Sequence, residues 1–134
     1  WACLLPRMNA SGDGVSYSLT ASLDKAPHHQ QRLTNIVFGD VYVCGGQSNM
    51  ELPVSLVNNN SLELAAAAAY PWIHVAVVNS ASSNTPLRDT SAPLLLPWQH
   101  ASPAALGSNN SHSWRYFSAT CGLTARNVAD MTDE

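Results

Sequence analysis

The residue best placed to do covalent chemistry is a serine that follows two glycines, in the run Cys44, Gly45, Gly46, Gln47, Ser48, Asn49, Met50. A serine hydroxyl becomes a useful nucleophile when a base takes its proton, donors hold the oxyanion that forms, and a pocket receives the acyl group. Val41, Tyr42 and Val43 suit a buried strand leading into such a site, and Gly45 and Gly46 permit a sharp turn with open space for an approaching substrate. Ser48 then stands where a helix can begin, so its hydroxyl and its N–H both lie near a positive helix terminus. The everyday role of a serine in this setting is a turn or helix cap, and residue types alone favour that role. Gln47 and Asn49 either fix the turn or touch substrate, and Asp40 is expected to tether the loop by hydrogen bonds.

The other candidate chemistry is sparser. His28 and His29 fall in a polar run, and His100 and His112 in a stretch rich in Ser, Asn and Pro, so all four read as loop or surface residues. His74 lies in an apolar segment, where a core or strand-edge position is expected rather than catalysis. Cys3, Cys44 and Cys121 lack metal-type spacing and read as buried thiols, or as one disulfide with a thiol left over. Cys44 and Cys121 could be neighbours in the core, and the sequence leaves their pairing open. A net charge of −3 with 11% charged residues and no basic cluster argues against nucleic acid as a partner. The most apolar stretch, residues 62–78, is interrupted by Glu63, Pro71 and His74, which argues against a membrane span. Sequons at Asn9, Asn59 and Asn109 lean toward a secreted or lysosomal protein.

The elements that must position Ser48 follow from periodicity. Residues 15–23 alternate, with Val15, Tyr17, Leu19, Ala21 and Leu23 on one face, which predicts a half-buried antiparallel strand. A turn over residues 11–14 precedes it and a polar loop over 24–30 follows. Residues 36–43 read as extended, with Gly39 as a break. Asn60 or Ser61 caps a helix through Leu62, Leu64 and the alanines to Ala69, with Glu63 in its first turn and Pro71 ending it. Residues 73–78 suit a buried parallel strand, so that strand, helix and strand give an α/β class. Residues 79–113 form a long, poorly ordered connection, and Phe117, Cys121, Leu123, Thr124, Val128 and Met131 mark a closing helix packed on the sheet.

The run FGDVYVCGGQSNM resembles the first conserved block of the sialate O-acetylesterases, serine esterases of the SGNH-hydrolase superfamily with a flavodoxin-like α/β core. Trp1 with Leu5, Pro6, Arg7 and Met8 is similar to that family's upstream β segment, and Phe117, Ser118, Ala119, Thr120 and Cys121 to the stretch before its second block. The resemblance implies Ser48 as the nucleophile, with its own N–H as one oxyanion donor. It places Ala125, before Arg126, where the family has a second donor glycine; a glycine stands instead at Gly122. The third-block asparagine and the Asp-x-x-His pair have no counterpart. The chain is therefore expected to be an N-terminal fragment: residues 1–34 from an accessory β-sandwich-like segment, and 35–134 from the start of the hydrolase domain. The implied activity is removal of acetyl groups from sialic acid or a related carbohydrate through an acyl-enzyme on Ser48, needing no metal or organic cofactor and absent from the fragment alone. A degenerate, non-catalytic carbohydrate-binding relative and an acetylxylan-type esterase are the alternatives.

Overall fold

The computed structural model describes residues 4–11, 15–87, 89–90, 93–107 and 116–132, with the side chains of Ala26 and Pro27 set aside. Trp1, Cys3, most of the 11–14 turn, the Asn109 sequon, His112 and Trp114 lie outside the described residues. The chain divides into two compact units, Trp1–Val43 and Cys44–Glu134.

In the first unit, β1 (Tyr17–Leu23) pairs antiparallel with β2 (Ala26–Ile36) in a register that sets Leu19 opposite Leu33 and Ala21 opposite Gln31. The antiparallel strand read from the alternation is present, and its apolar face is covered only in part: Tyr17 and Leu19 are 42% and 39% exposed, and Leu23, at the turn, 58%. A two-stranded ribbon has no second layer to cover it. The polar loop expected over 24–30 shrinks to a turn at Asp24 and Lys25, and His28 and His29 belong to β2. Ser11 holds the segment after β2, its N–H donating to the Phe38 carbonyl at 2.7 Å and its Oγ accepting from Phe38 N–H at 2.8 Å. Val41, Tyr42 and Val43 are not the buried strand expected of them; they are irregular and exposed, Val43 at 94%. Branched and aromatic residues favour a strand only where a neighbour supplies hydrogen bonds and cover.

The second unit carries the core, built on Val54, Leu64, Ala67, Leu106 and Ala119 with Val57 and Phe117 against it. Helix α1 (Asn60–Ala66) begins where the sequence suggests, but without a capping side chain. Asn59 enters it left-handed at φ 58°, and the Asn60 amide donates to the Ser55 carbonyl at 3.0 Å. The alanine run tightens into a 3₁₀ turn, Ala67–Ala69, just before Tyr70 and Pro71 end it. Strand β3 (His74–Val77) follows, with Val75 buried.

Strand β3 pairs antiparallel with β4 (Leu96–His100), not in the parallel arrangement expected. The partner comes from the connection read as poorly ordered, which also forms α2 (Pro103–Leu106). That short helix has sharp ends, with Ser102 Oγ accepting from Ala105 N–H, Pro103 in the first turn and Gly107 left-handed at φ 104°. The closing helix α3 (Ala119–Thr132) starts at Ser118, whose Oγ accepts from Cys121 N–H at 3.4 Å. It is tied to the segment around α1 by the Arg126–Glu63 ion pair and by Tyr70 Oη donating to Asp130 at 2.7 Å. The class is mixed, with helices and two small antiparallel sheets. Among the described residues no helix is long and apolar enough to cross a membrane.

Candidate active site

The turn that carries Ser48 is built from one obligatory glycine. Gly46 has φ 148°, and a Cβ there would stand 2.6 Å from Met50 Cγ, so no other residue fits without moving Met50. Gly45 faces open space. Gln47 is extended, and Ser48–Met50 then coils into a single 3₁₀ turn closed by Met50 N–H to the Gln47 carbonyl at 3.1 Å and Glu51 N–H to the Ser48 carbonyl at 2.9 Å. Ser48 itself is left-handed at φ 56°. A serine held there costs about 1–3 kcal/mol of local strain, which persists only where the surroundings impose it and is a recurrent property of functional residues.

Strain and hydrogen bonding together leave the serine available. Gln47, Ser48 and Asn49 are exposed. The N–H groups of Ser48 and Asn49 and the Ser48 Oγ have no hydrogen-bond partner among the described residues. Two backbone donors and a hydroxyl are thus left unengaged on one turn. The turn or cap role that residue types favour is only half met, because Ser48 shapes the turn with its backbone while its side chain caps nothing.

The turn is clamped to the start of α3 from both sides. Before it, Cys44 forms a disulfide with Cys121 across a Cα separation of 6.3 Å, within the ordinary span of such bridges. After it, the Asn49 carbonyl accepts from Thr120 Oγ1 at 3.4 Å and the Leu52 carbonyl from Ala119 N–H at 2.7 Å. The bond that the sequence left open therefore forms, and the stretch from Phe117 to Cys121 is what holds the serine turn. Thr120, named in the sequence only as part of that stretch, supplies its side chain to the turn, a contact that the sequence did not signal.

Other predicted residues fall elsewhere. Ala125 is half-buried inside α3, where an interior N–H ordinarily bonds the carbonyl four residues back, so the helix competes for that donor. Asp40 makes no hydrogen bond among the described residues, against the tethering role expected of it. His100, expected in a loop, lies in β4 opposite His74, which sits at the end of β3 as a strand-edge residue. The concavity between α1, β3 and α3 is lined by Val54, Glu63, Tyr70, Ile73, Leu106 and Arg126, and does not include Ser48. No group of three or more metal-ligating side chains occurs among the described residues.

No family model matches the chain. It is 36% identical over 99 residues to sialate O-acetylesterase of Mus musculus, 34% identical to that of Rattus norvegicus and 33% to that of Homo sapiens. Each match covers 74% of this chain and 18% of the relative, so the chain spans under a fifth of the length of the curated proteins it matches.

Proposed function

We propose that this chain, a relative of the sialate O-acetylesterases over 99 of its residues, carries the nucleophile of a carbohydrate O-acetylesterase at Ser48. The single observation that supports this best is the Ser48 turn: an exposed, left-handed serine whose hydroxyl and adjoining N–H groups are unengaged. In this reading Ser48 Oγ attacks the acetyl carbonyl, its proton passes to a base, and the tetrahedral oxyanion is held first by the Ser48 N–H. The sugar hydroxyl leaves with a proton, and water then releases acetate from the acyl-serine. O-acetylated sialic acid is the substrate class that the relatives' name supports.

The chain would form the opening part of a flavodoxin-like SGNH core. With no base bonded to Ser48 among the described residues, the chain alone is expected to be inactive. Ala125 at the second-donor position favours, as a second reading, a carbohydrate-binding relative that has lost catalysis. The Cys44–Cys121 bond and the exposed Asn9 and Asn59 support a secreted or lysosomal setting.

The test supplies the missing base. The chain and its Ser48→Ala variant are incubated with O-acetylated sialic acid, with and without imidazole, and acetate release and intact mass are followed. Acetate release that requires both Ser48 and imidazole, with an acetyl group trapped on Ser48, supports the esterase reading. Saturable sugar binding with no acetyl transfer to Ser48 under either condition overturns it in favour of the binding protein.

A further inference from the structure

We propose that His74 and His100 form a two-imidazole site for a divalent transition-metal ion on the face of the β3–β4 ladder. The two residues are register partners, and beside them Ala101 N–H donates to the Ile73 carbonyl at 2.7 Å. In an antiparallel ladder a bond so placed flanks the pair instead of joining it. His74 and His100 are thus a non-hydrogen-bonded pair, the closer kind, with Cα atoms about 4.5 Å apart and side chains on one face. Their ring centroids are 4.3 Å apart, with the planes tilted by 43°.

Backbone carbonyls orient both rings. His74 Nδ1 lies 3.0 Å from the Trp72 carbonyl oxygen, and His100 Nδ1 bonds the Pro71 carbonyl oxygen. A carbonyl oxygen can only accept, so each Nδ1 carries a proton, and in the neutral ring the lone pair is then on Nε2. Ligating histidines are ordinarily held this way, with one ring nitrogen donating to a carbonyl while the other binds the ion. Neighbouring residues, Pro71 and Trp72, thereby fix two imidazoles that adjacent strands bring together. Neither ring is buried, so an ion and its waters have access. Paired neutral imidazoles suit zinc, copper(II) or nickel(II), with water completing the coordination.

The experiment titrates the metal-free full chain with Zn²⁺ alone, followed by calorimetry and by ¹⁵N spectra of the imidazoles. One ion binds per chain, and the Nε2 signals of His74 and His100 move while those of His28 and His29 stay. His74→Ala and His100→Ala each weaken binding by at least about tenfold, the lower end of what even an outer partner of a ligating imidazole contributes. Zn²⁺ raises the melting temperature of the parent chain and of neither variant. The proposal is overturned by absence of binding, by an unchanged titration in either folded variant, or by imidazole shifts confined to other histidines. Should a variant fail to fold, the spectra of the parent chain decide alone.

Discussion

Breaking the Cys44–Cys121 bond should cost this protein most of its stability, and Cys44→Ala is the change that shows it. Cys44 is exposed, whereas Cys121 is 5% exposed at the base of α3, so removing the former leaves the packing around the latter intact. The bridge joins residues 77 apart in sequence. In the chain-entropy treatment, cross-linking a loop of that length removes about 15 cal/mol/K from the unfolded ensemble, equivalent to about 4.5 kcal/mol at 25 °C. Small domains have only about 5–15 kcal/mol in total. Few large side chains are buried among the described residues of the second unit, so the lower end of that range is the relevant comparison. Urea unfolding followed by circular dichroism and by tryptophan fluorescence reads the loss directly. With a slope of about 2 kcal/mol/M, the midpoint falls by roughly 2 M. A thiol assay runs beside it: of the three cysteines, one is expected to react in the unfolded, unreduced protein and all three once it is reduced. A midpoint shift of less than about 0.5 M, corresponding to about 1 kcal/mol at that slope, would refute the reasoning, as would three reactive thiols before reduction.

Gly46→Ala introduces a methyl group 2.6 Å from Met50 Cγ at a backbone angle that disfavours any side chain; a loss of about 1–3 kcal/mol in chemical denaturation is expected. Ser48→Gly relieves about 1–2 kcal/mol of left-handed strain that Ser48→Ala retains, against about 0.5–1 kcal/mol of extra backbone entropy, so the glycine variant should be the more stable of the two by about 1 kcal/mol, with the proposed acetyl transfer to Ser48 gone from both. Equal melting temperatures would show that the turn is unstrained. Ser55 Oγ is buried with no hydrogen-bond partner among the described residues, so Ser55→Ala is expected to raise stability by about 1 kcal/mol, and a drop in the melting temperature would contradict that.

What could be read in advance was local. The alanine-rich helix was legible because intrinsic propensity, the acidic Glu63 near its start and Pro71 after its end act within one or two turns. The closing helix was legible from its apolar spacing, and the serine turn from two glycines beside a polar run. Strands were legible as extended segments and not as partners. Residues 73–78 read as a parallel strand because a buried apolar run looks the same in either orientation, and the partner that settled it, β4, lies in a Ser-, Asn- and Pro-rich stretch and is itself interrupted by Pro97. Val41, Tyr42 and Val43 failed for the complementary reason, having strand-forming side chains with no neighbouring ladder among the described residues.

Legible from residue order alone were the turn at Gly45 and Gly46, the start of the alanine-rich helix near Asn60, and the motif around Ser48 that is similar to that of the sialate O-acetylesterases. These depend on short-range sterics and on residue identity. Not legible there were the Cys44–Cys121 bond, the Thr120 hydroxyl on the Asn49 carbonyl, the left-handed Ser48 with its hydroxyl unengaged, and the pairing of His74 with His100. The three contacts among these join segments distant along the chain. Which of the many possible loop closures forms is chosen by the packing of the whole unit, not by the residues at either end.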